Sequence, residues 1–155
     1  MIRQAQARDL DALIALFREE NSHNHNIAPD RVGLTEAVLT QDELNAMISD
    51  QASYLAVYEL DGTPVAALLG VYHQTEAKRW VTKRRYVYLE ELIVTQAQRG
   101  KGIARQLVDE FEDWACSKGA SCIDLHVWQH NDSAIKFYQG QGFYNEQCLM
   151  SKNLE

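Results

Sequence analysis

Arg99-Gly100-Lys101-Gly102-Ile103-Ala104 is the stretch that decides the fold of this chain of 155 residues. It lies between an apolar, strand-like run, Tyr86 to Thr95, and an amphipathic helix that begins near Lys101. Glycine lets a ligand approach the backbone closely, and the first N–H groups of a helix have no partner within it. The helix dipole makes this end positive, and Arg99, Lys101 and Arg105 add side-chain charge. The stretch therefore predicts a junction that binds a phosphate or pyrophosphate.

The rest of the second half alternates helix and strand signals. Apolar residues recur at helical spacing from Ile103 to Lys118, and a second helix is expected over Asn131 to Gln139, capped by Asn131 or Asp132. Ile123 to Trp128 reads as a short buried strand, and Phe143 to Ser151 as a final strand. Strands that alternate with helices predict a parallel crossover in the middle of the sheet.

The first half predicts a helix and a hairpin. Asp9 stands where it would cap a helix that carries an apolar stripe, and the Asn-rich segment Asn21 to Pro29 predicts a loop. Thr40 to Glu43 fits a capping box before a second helix. Asp61-Gly62 joins two strand-like runs, Ser53 to Leu60 and Val65 to Tyr72, and is a strong hairpin signal. Antiparallel strands beside a parallel crossover make the predicted sheet mixed.

Length, composition and charge indicate one cytoplasmic domain spanning residues 1–155. The chain carries 15 Lys and Arg against 22 Asp and Glu, a net charge of −7. This balance argues against a nucleic-acid partner and is compatible with a cationic small substrate. No signal peptide or membrane-length apolar run is recognisable, so no membrane partner is expected. The odd count of three cysteines predicts reduced, buried thiols.

Three kinds of phosphate loop compete for the junction. A nucleoside triphosphate loop needs GxxxxGK followed by Ser or Thr, and the chain has no such string. A dinucleotide fingerprint needs a third glycine, where Arg105 stands, although Asp124 lies near the spacing of a ribose-binding acid. A nucleotide-dependent oxidoreductase is therefore disfavoured.

The third kind of phosphate loop is indicated by a resemblance to a known family. Arg99, Gly102 and Ala104 meet the pattern Arg-x-x-Gly-x-Ala, which resembles the acyl-CoA loop of the GNAT superfamily of N-acetyltransferases. The strand Tyr88 to Val94, and the segment from Asn131 to Phe143, resemble that family's central strand and its later helix and turn. The resemblance implies an α/β (α+β) fold with a mixed, mostly antiparallel sheet, a parallel pair at its middle, and flanking helices. Within the superfamily these segments are most similar to spermidine/spermine-type small-amine acetyltransferases.

The resemblance implies direct transfer of an acetyl group from acetyl-CoA to a primary amine of a small molecule, such as a polyamine or diamine. The amine must lose a proton, because an ammonium has no lone pair, and the resemblance gives this base role to Glu90. The leaving thiolate benefits from an acid, and Tyr138 matches the family's tyrosine in that role. The CoA contacts implied by the resemblance, through backbone and side chains, are Leu92, Ile93, Val94, Arg99, Gly100, Lys101, Gly102, Ile103, Ala104 and Asn131.

Alternatives to Glu90 stay open. Neighbouring strand residues point to opposite faces unless a bulge re-aims the strand, so Glu91 is a second candidate base. His126 is a third, because it comes late in its strand. His23 and His25 lie two residues apart in a polar segment without an evident third ligand, so no metal site is expected.

Other functions also stay open. The acceptor amine can belong to a protein or peptide instead of a small molecule, or the fold can serve as a non-catalytic CoA-binding regulatory module. Dimers are common in the family, so the resemblance favours a homodimer. The role of the segment Asn21 to Pro29 is not indicated by its residues.

Overall fold

The computed structural model describes residues 1–155 as one five-stranded sheet between two layers of helix. Short 3-10 helices at Ala7–Asp9 and Gln96–Gln98 precede the first long helix and follow the fourth strand. The strands are β1 (Ile2–Gln4), β2 (Ser53–Leu60), β3 (Thr63–Thr75), β4 (Arg84–Val94) and β5 (Cys122–Asp124). The helices are α1 (Leu10–Ile27), α2 (Gln41–Ser49), α3 (Ile103–Ser117) and α4 (Asp132–Gly140).

The sheet is mixed, as the sequence predicts. Its strand order follows the chain from β1 to β5, with three antiparallel pairings and a parallel β4–β5 pair. Helix α3 makes the crossover between the two parallel strands. Because β5 is the last strand in the order, the parallel pair lies at one end of the sheet and not at its middle, where the sequence placed it.

The β2–β3 hairpin confirms its sequence signal. Leu60 pairs with Thr63, so Asp61 and Gly62 form a two-residue turn with φ angles of 49° and 79°. Positive φ at both positions gives the turn a twist that matches its strands, and Asp-Gly tolerates these angles better than most dipeptides.

Alternation along the strands divides the apolar core into two layers. Leu68 and Val87 face α3 and pack against Leu107, Val108 and Phe111. The alternate residues face α1 and α2, where Val57, Leu69 and Ile93 pack with Leu13 and Leu44. Burial on both faces holds β4 in the centre of the molecule.

Phe111 packs directly against the backbone of β3. A Cβ atom on Gly70 would lie 2.2 Å from Cζ of Phe111, closer than any van der Waals contact allows. Gly70 is therefore the residue that lets the ring of α3 reach the sheet at this point, as expected where a side chain approaches a strand closely.

The prediction of a loop over Asn21 to Pro29 is wrong. Helix α1 continues to Ile27 because its polar side chains hold the following segment instead of interrupting the helix. Asn21 donates to the carbonyl of Gly33 (2.9 Å) and accepts from the Thr35 N–H (3.0 Å), and His25 Nδ1 lies 2.6 Å from the Val32 carbonyl oxygen. His23 and His25 are therefore helical residues.

Asp9 does not cap α1 through its side chain. Its buried carboxylate receives two hydrogen bonds from the Arg3 guanidinium, at 2.8 and 2.9 Å, and one from the Gln6 N–H at 2.8 Å. These donors, with the Arg3 hydrogen bonds first, hold the pKa of Asp9 below its ordinary value. By contrast, the capping box at Thr40 and Glu43 is confirmed.

The final strand predicted over Phe143 to Ser151 is not formed. This segment contains no β-branched residue, its apolar side chains Leu149 and Met150 are exposed, and Ser151 Oγ accepts a hydrogen bond from Arg31 (3.0 Å). Cys148 and Cys116 are exposed and Cys122 is half-buried, so the expectation of buried cysteines is wrong, although all three are free. None of the four helices is long and apolar enough to cross a membrane.

Candidate active site

The two parallel strands separate in the middle of β4. Strand β5 pairs with β4 only from Tyr86 to Tyr88, whereas β3 accompanies β4 as far as Val94. The backbone of Leu92, Ile93 and Val94 therefore has one edge without a strand partner, on which the Arg99 side chain occupies the Val94 carbonyl. The Ile93 side chain is buried in the core. Such an edge can receive an extended ligand as if it were a further strand.

The junction after β4 presents a run of unpaired backbone donors. Gly100 and Gly102 have φ angles of 76° and 79°, and Gly102 is the N-cap of α3. The six consecutive N–H groups of residues 100 to 105 donate to no backbone acceptor of the chain, and a Cβ atom at either glycine would meet no atom within 4 Å. Open donors at the positive end of a helix form an anion-binding arrangement.

The three cations near the junction are not equivalent. Arg99 turns away from the open loop: its Nε donates to the Val94 carbonyl (2.9 Å) and its Nη2 to Glu19 of α1 (3.1 Å). Lys101 donates to the Gln98 side chain, and Arg105 Nε lies 4.0 Å from Oδ2 of Asp109. Arg99 is thus a charge neutralised by α1, and the exposed positive charge belongs to Lys101 and Arg105.

A β-bulge places the two strand glutamates. Leu69 pairs with Glu91 and Gly70 with Leu89, so Glu90 is an extra residue in β4. The bulge shifts the alternation, because Leu89 belongs to the α3-side core whereas Ile93 belongs to the α1-side core. Glu91 precedes Ile93 by two residues on the same side of the bulge, so its side chain also lies on the α1 side of the sheet.

Glu91 has the protonation behaviour of a base that works near neutral pH. Burial, followed by the charges of Glu20 and Glu90, raises the pKa of Glu91 to about 7. Glu90 itself is exposed. Glu91 is therefore the strand glutamate in a half-buried, acidic environment, whereas Glu90, the candidate that the resemblance implies, faces solvent.

Glu20 of α1 is a site residue that the sequence reasoning missed. Burial raises its pKa above the ordinary value, although a hydrogen bond from Asn24 (3.4 Å) and the Arg99 charge oppose the shift. Its spacing marks it in the sequence, because Glu20 follows Leu13 by seven residues and Leu16 by four and so continues their buried helical stripe. An acidic residue on such a stripe is the sequence signal that indicates a site residue here.

Helix α4 brings Tyr138 towards the same carboxylates. Its ring lies between Phe137 and Phe143, at centroid distances of 5.2 and 5.4 Å. Burial, then the charges of Glu20 and Glu91, raises the pKa of Tyr138 well above its usual value, so the phenol keeps its proton at neutral and alkaline pH.

Asn131 and His126 are the remaining candidate site residues. Asn131 caps α4, its side-chain oxygen accepting from the Ala134 N–H (3.3 Å), as the sequence predicts. His126 lies two residues beyond the end of β5, is exposed, and is hydrogen-bonded through Nδ1 to the Tyr88 hydroxyl. No group of three or more His, Cys, Asp or Glu side chains is arranged to hold a metal ion.

Known proteins share this architecture. A mutant of the BH1408 protein from Bacillus halodurans superposes with a TM-score of 0.95 at 22% identity, covering 100% of this chain and 99% of that one. The aminoglycoside N-acetyltransferase AAC(6')-Iy in complex with CoA has a TM-score of 0.72 at 17% identity, covering 99% and 98%. These similarities show the fold.

Sequence comparisons extend the relationship to the enzyme class. A thialysine N-epsilon-acetyltransferase from Bos taurus is 26% identical over 145 residues, which span 92% of this chain and 82% of the relative. The model of the acetyltransferase (GNAT) family matches residues 10–143. The open amide loop, the free edge of β4 and the cleft carboxylates all lie within those bounds. This chain is an acetyltransferase that belongs to the GNAT family.

Proposed function

We propose that this acetyltransferase moves an acetyl group from acetyl-CoA to a primary amine of a small molecule, with a diamine or polyamine as acceptor. The observation that carries the proposal is Glu91, a half-buried carboxyl with a pKa of about 7, on the strand whose free edge leads to the open amides of residues 100 to 105. A base and an anion site are thus connected by one strand.

The chain has suitable groups for the donor. Acetyl-CoA supplies an acetyl group activated as a thioester. The open N–H groups of residues 100 to 105 would hold its pyrophosphate, and the exposed cations Lys101 and Arg105 add attraction there. The free edge of Leu92 to Val94 suits the amide-containing arm of the same molecule, and Asn131 stays a candidate contact from the start of α4.

Glu91 would take the proton from the acceptor ammonium. A carboxyl with a pKa near 7 is half ionised at neutral pH and is a stronger base than an ordinary glutamate. The neighbouring charges of Glu20 and Glu90 that raise this pKa also attract the cationic substrate. Tyr138 would hold a proton for the leaving sulfur, since burial keeps its phenol protonated.

The acceptor class rests on the charge of the cleft. The charges of Glu20 and Glu90 raise the pKa of Glu91 after burial does, and the whole chain has a net charge of −7. The relatives named above act on thialysine and aminoglycosides, so small amines are the acceptors that the comparisons make plausible. The free cysteines fit a reducing compartment, and we place the enzyme in the cytoplasm.

The donor site is tested by Gly102→Asp. The added carboxylate would repel the pyrophosphate, and the φ of 79° would strain the N-cap of α3, so CoA affinity should fall at least 100-fold, by about 3 kcal/mol. Gly62→Asp is the matched control, because Gly62 has the same φ of 79° but lies in the distant hairpin. Calorimetric titration of both folded variants with CoA measures the effect, and equal affinities would refute this placement of the pyrophosphate.

The base is tested by Glu91→Gln beside Glu90→Gln. The wild-type kcat/KM should rise with pH through about 7, and Glu91→Gln should remove this inflection and lower kcat roughly 100-fold. Because its folded pKa is raised, Glu91 binds its proton more tightly in the folded state, so it costs stability as pH rises from about 4.5 to 7. Glu91→Gln should therefore raise Tm at pH 8 but not at pH 4.

The two glutamates are separated by the same measurements. Glu90→Gln removes only the smallest of the three causes that raise the pKa of Glu91, so it should keep most of the wild-type Tm difference between pH 4 and pH 8. If Glu90→Gln abolishes the pH inflection and Glu91→Gln keeps it, Glu90 is the base.

The proton donor is tested by Tyr138→Phe. This change keeps the ring contacts with Phe137 and Phe143, so Tm should change little. Loss of the hydroxyl should reduce kcat by roughly 100-fold if proton donation limits the reaction. Pre-steady-state kinetics establish that chemistry is the slow step, and unchanged turnover under that condition would leave Tyr138 with a packing role only.

The acceptor is tested with spermidine, a diamine, a monoamine and a lysine peptide, each at about 20 mM and 300 mM salt. The higher salt shortens the screening length from about 20 to 6 Å, so kcat/KM should fall most for spermidine. Glu20→Gln should reduce the advantage of spermidine over the monoamine, whereas Glu36→Gln, whose carboxylate is 86% exposed, should not.

The same panel separates the competing functions. Preference for the peptide would indicate a protein acceptor. CoA binding without turnover of any amine would indicate a non-catalytic module. Equal, salt-independent efficiency for all amines would refute the preference for polycations.

A further inference from the structure

Glu19, the neighbour of Glu20 on α1, contacts the start of the donor loop instead of the acceptor cleft. Its Oε2 accepts from the Thr95 hydroxyl (3.0 Å), and its Oε1 accepts from the Gln96 N–H (2.8 Å) and from Arg99 Nη2 (3.1 Å). One carboxylate thus holds a side-chain hydroxyl, a backbone amide and a guanidinium, all within five residues of one segment.

This segment has few other ties to the molecule. Between the end of β4 and Gly100 the backbone forms only the 3-10 helix Gln96–Gln98, whose last hydrogen bond, from the Arg99 N–H to the Gln96 carbonyl, is 3.3 Å long. Beyond Thr95, whose N–H donates to Val65, the side-chain contacts of Glu19 are the link to a neighbouring helix. Short 3-10 helices have strained hydrogen-bond geometry and need such support.

Arg99 completes the connection. Its Nε donates to the Val94 carbonyl while its Nη2 donates to Glu19, so the side chain folds back across the segment that precedes the glycines. Hydrogen bonds between charged partners are stronger than neutral ones. The role of Arg99 here is to bind α1, which leaves the amides of residues 100 to 105 to face outwards.

We propose that Glu19 is a positioning residue that fixes the donor loop on α1, with Arg99, Thr95 and the Gln96 amide as its three contacts. The proposal rests on the proposed function in one respect, that the loop binds the pyrophosphate of CoA. Because Glu19 and Glu20 are adjacent, α1 connects the donor loop to the carboxylate that faces the acceptor.

The test uses Glu19→Ala and Glu19→Gln in the full chain. Glu19→Ala removes all three contacts, so hydrogen exchange of the hydrogen-bonded amides of Gln96, Gln98 and Arg99 in the ligand-free protein should accelerate, and the Kd for CoA should rise about tenfold. The kcat at saturating acetyl-CoA should stay within about twofold, because Glu19 does not touch the reacting atoms.

The conservative variant should restore most of the affinity. In Glu19→Gln the amide oxygen can keep the Gln96 and Arg99 contacts, and its NH₂ group can donate to the Thr95 hydroxyl, which accepts as well as donates. CoA affinity within about threefold of the wild type is expected. Adding Thr95→Val leaves that NH₂ group without a partner, so the double variant Glu19→Gln/Thr95→Val should bind CoA about tenfold more weakly than the wild type.

Glu36→Ala is the matched control, because Glu36 pairs with Arg18 of the same helix without touching the loop. A folded Glu19→Ala variant with unchanged exchange and CoA affinity overturns the proposal, as does a fall in kcat at unchanged affinity or an equal effect in Glu36→Ala. If Glu19→Ala does not fold, equal CoA affinities of Glu19→Gln and the double variant overturn it. A wild-type protein that does not bind CoA refutes the proposed function alone, since exchange in the ligand-free variants still decides the role of Glu19.

Discussion

One extra residue in β4 governs the arrangement of the cleft. The bulge at Glu90 lies opposite Leu69 and Gly70, where the Phe111 ring presses against β3 and no Cβ atom would fit. Beyond the bulge the strand alternates in the other phase, which carries Glu91 to the α1 side. The pairing with β5 has already ended at Tyr88, so the edge of Leu92 to Val94 has no strand partner there. A bulge can re-aim a side chain in this way, and the base that we propose owes its side of the sheet to it.

Glu20 and Glu91 place acidic groups where burial makes ionisation unfavourable. Glu20 and Glu91 are partly buried carboxyls, and each shifts to a raised pKa because burial and like charges disfavour ionisation. Elsewhere the molecule neutralises its acids: Asp9 binds Arg3, and Glu19 binds Arg99. Two neighbouring residues of α1 therefore differ: the Glu19 carboxylate is paired with a cation, whereas Glu20 has a raised pKa. Unsatisfied charge concentrated at one place is typical of a functional site.

Sequence reasoning succeeded where local patterns determine structure. The Asp61-Gly62 turn, the Thr40 capping box, the Asn131 cap and the apolar stripe of α3 all follow from nearby residues. It failed where distant contacts decide. The Asn21 to Ile27 segment stays helical because Asn21 and His25 bind residues beyond the helix. Burial raises the pKa of Glu91, and the next contribution comes from Glu20, which is distant in the sequence. The sequence shows that Glu90 and Glu91 can share a face only if a bulge re-aims the strand. It does not show where the bulge lies, because no residue pattern in β4 marks Glu90 as the extra residue.

The donor loop has a consequence for how such chains diverge. Its open groups, which we propose bind the pyrophosphate, are main-chain amides that every residue except proline carries, so the surrounding side chains can be exchanged without removing them. Only the left-handed backbone at Gly100 and Gly102 constrains residue type directly. The glycines are therefore the part of this loop that its backbone geometry holds fixed in sequence, whereas the residues around them can differ between chains that share the fold.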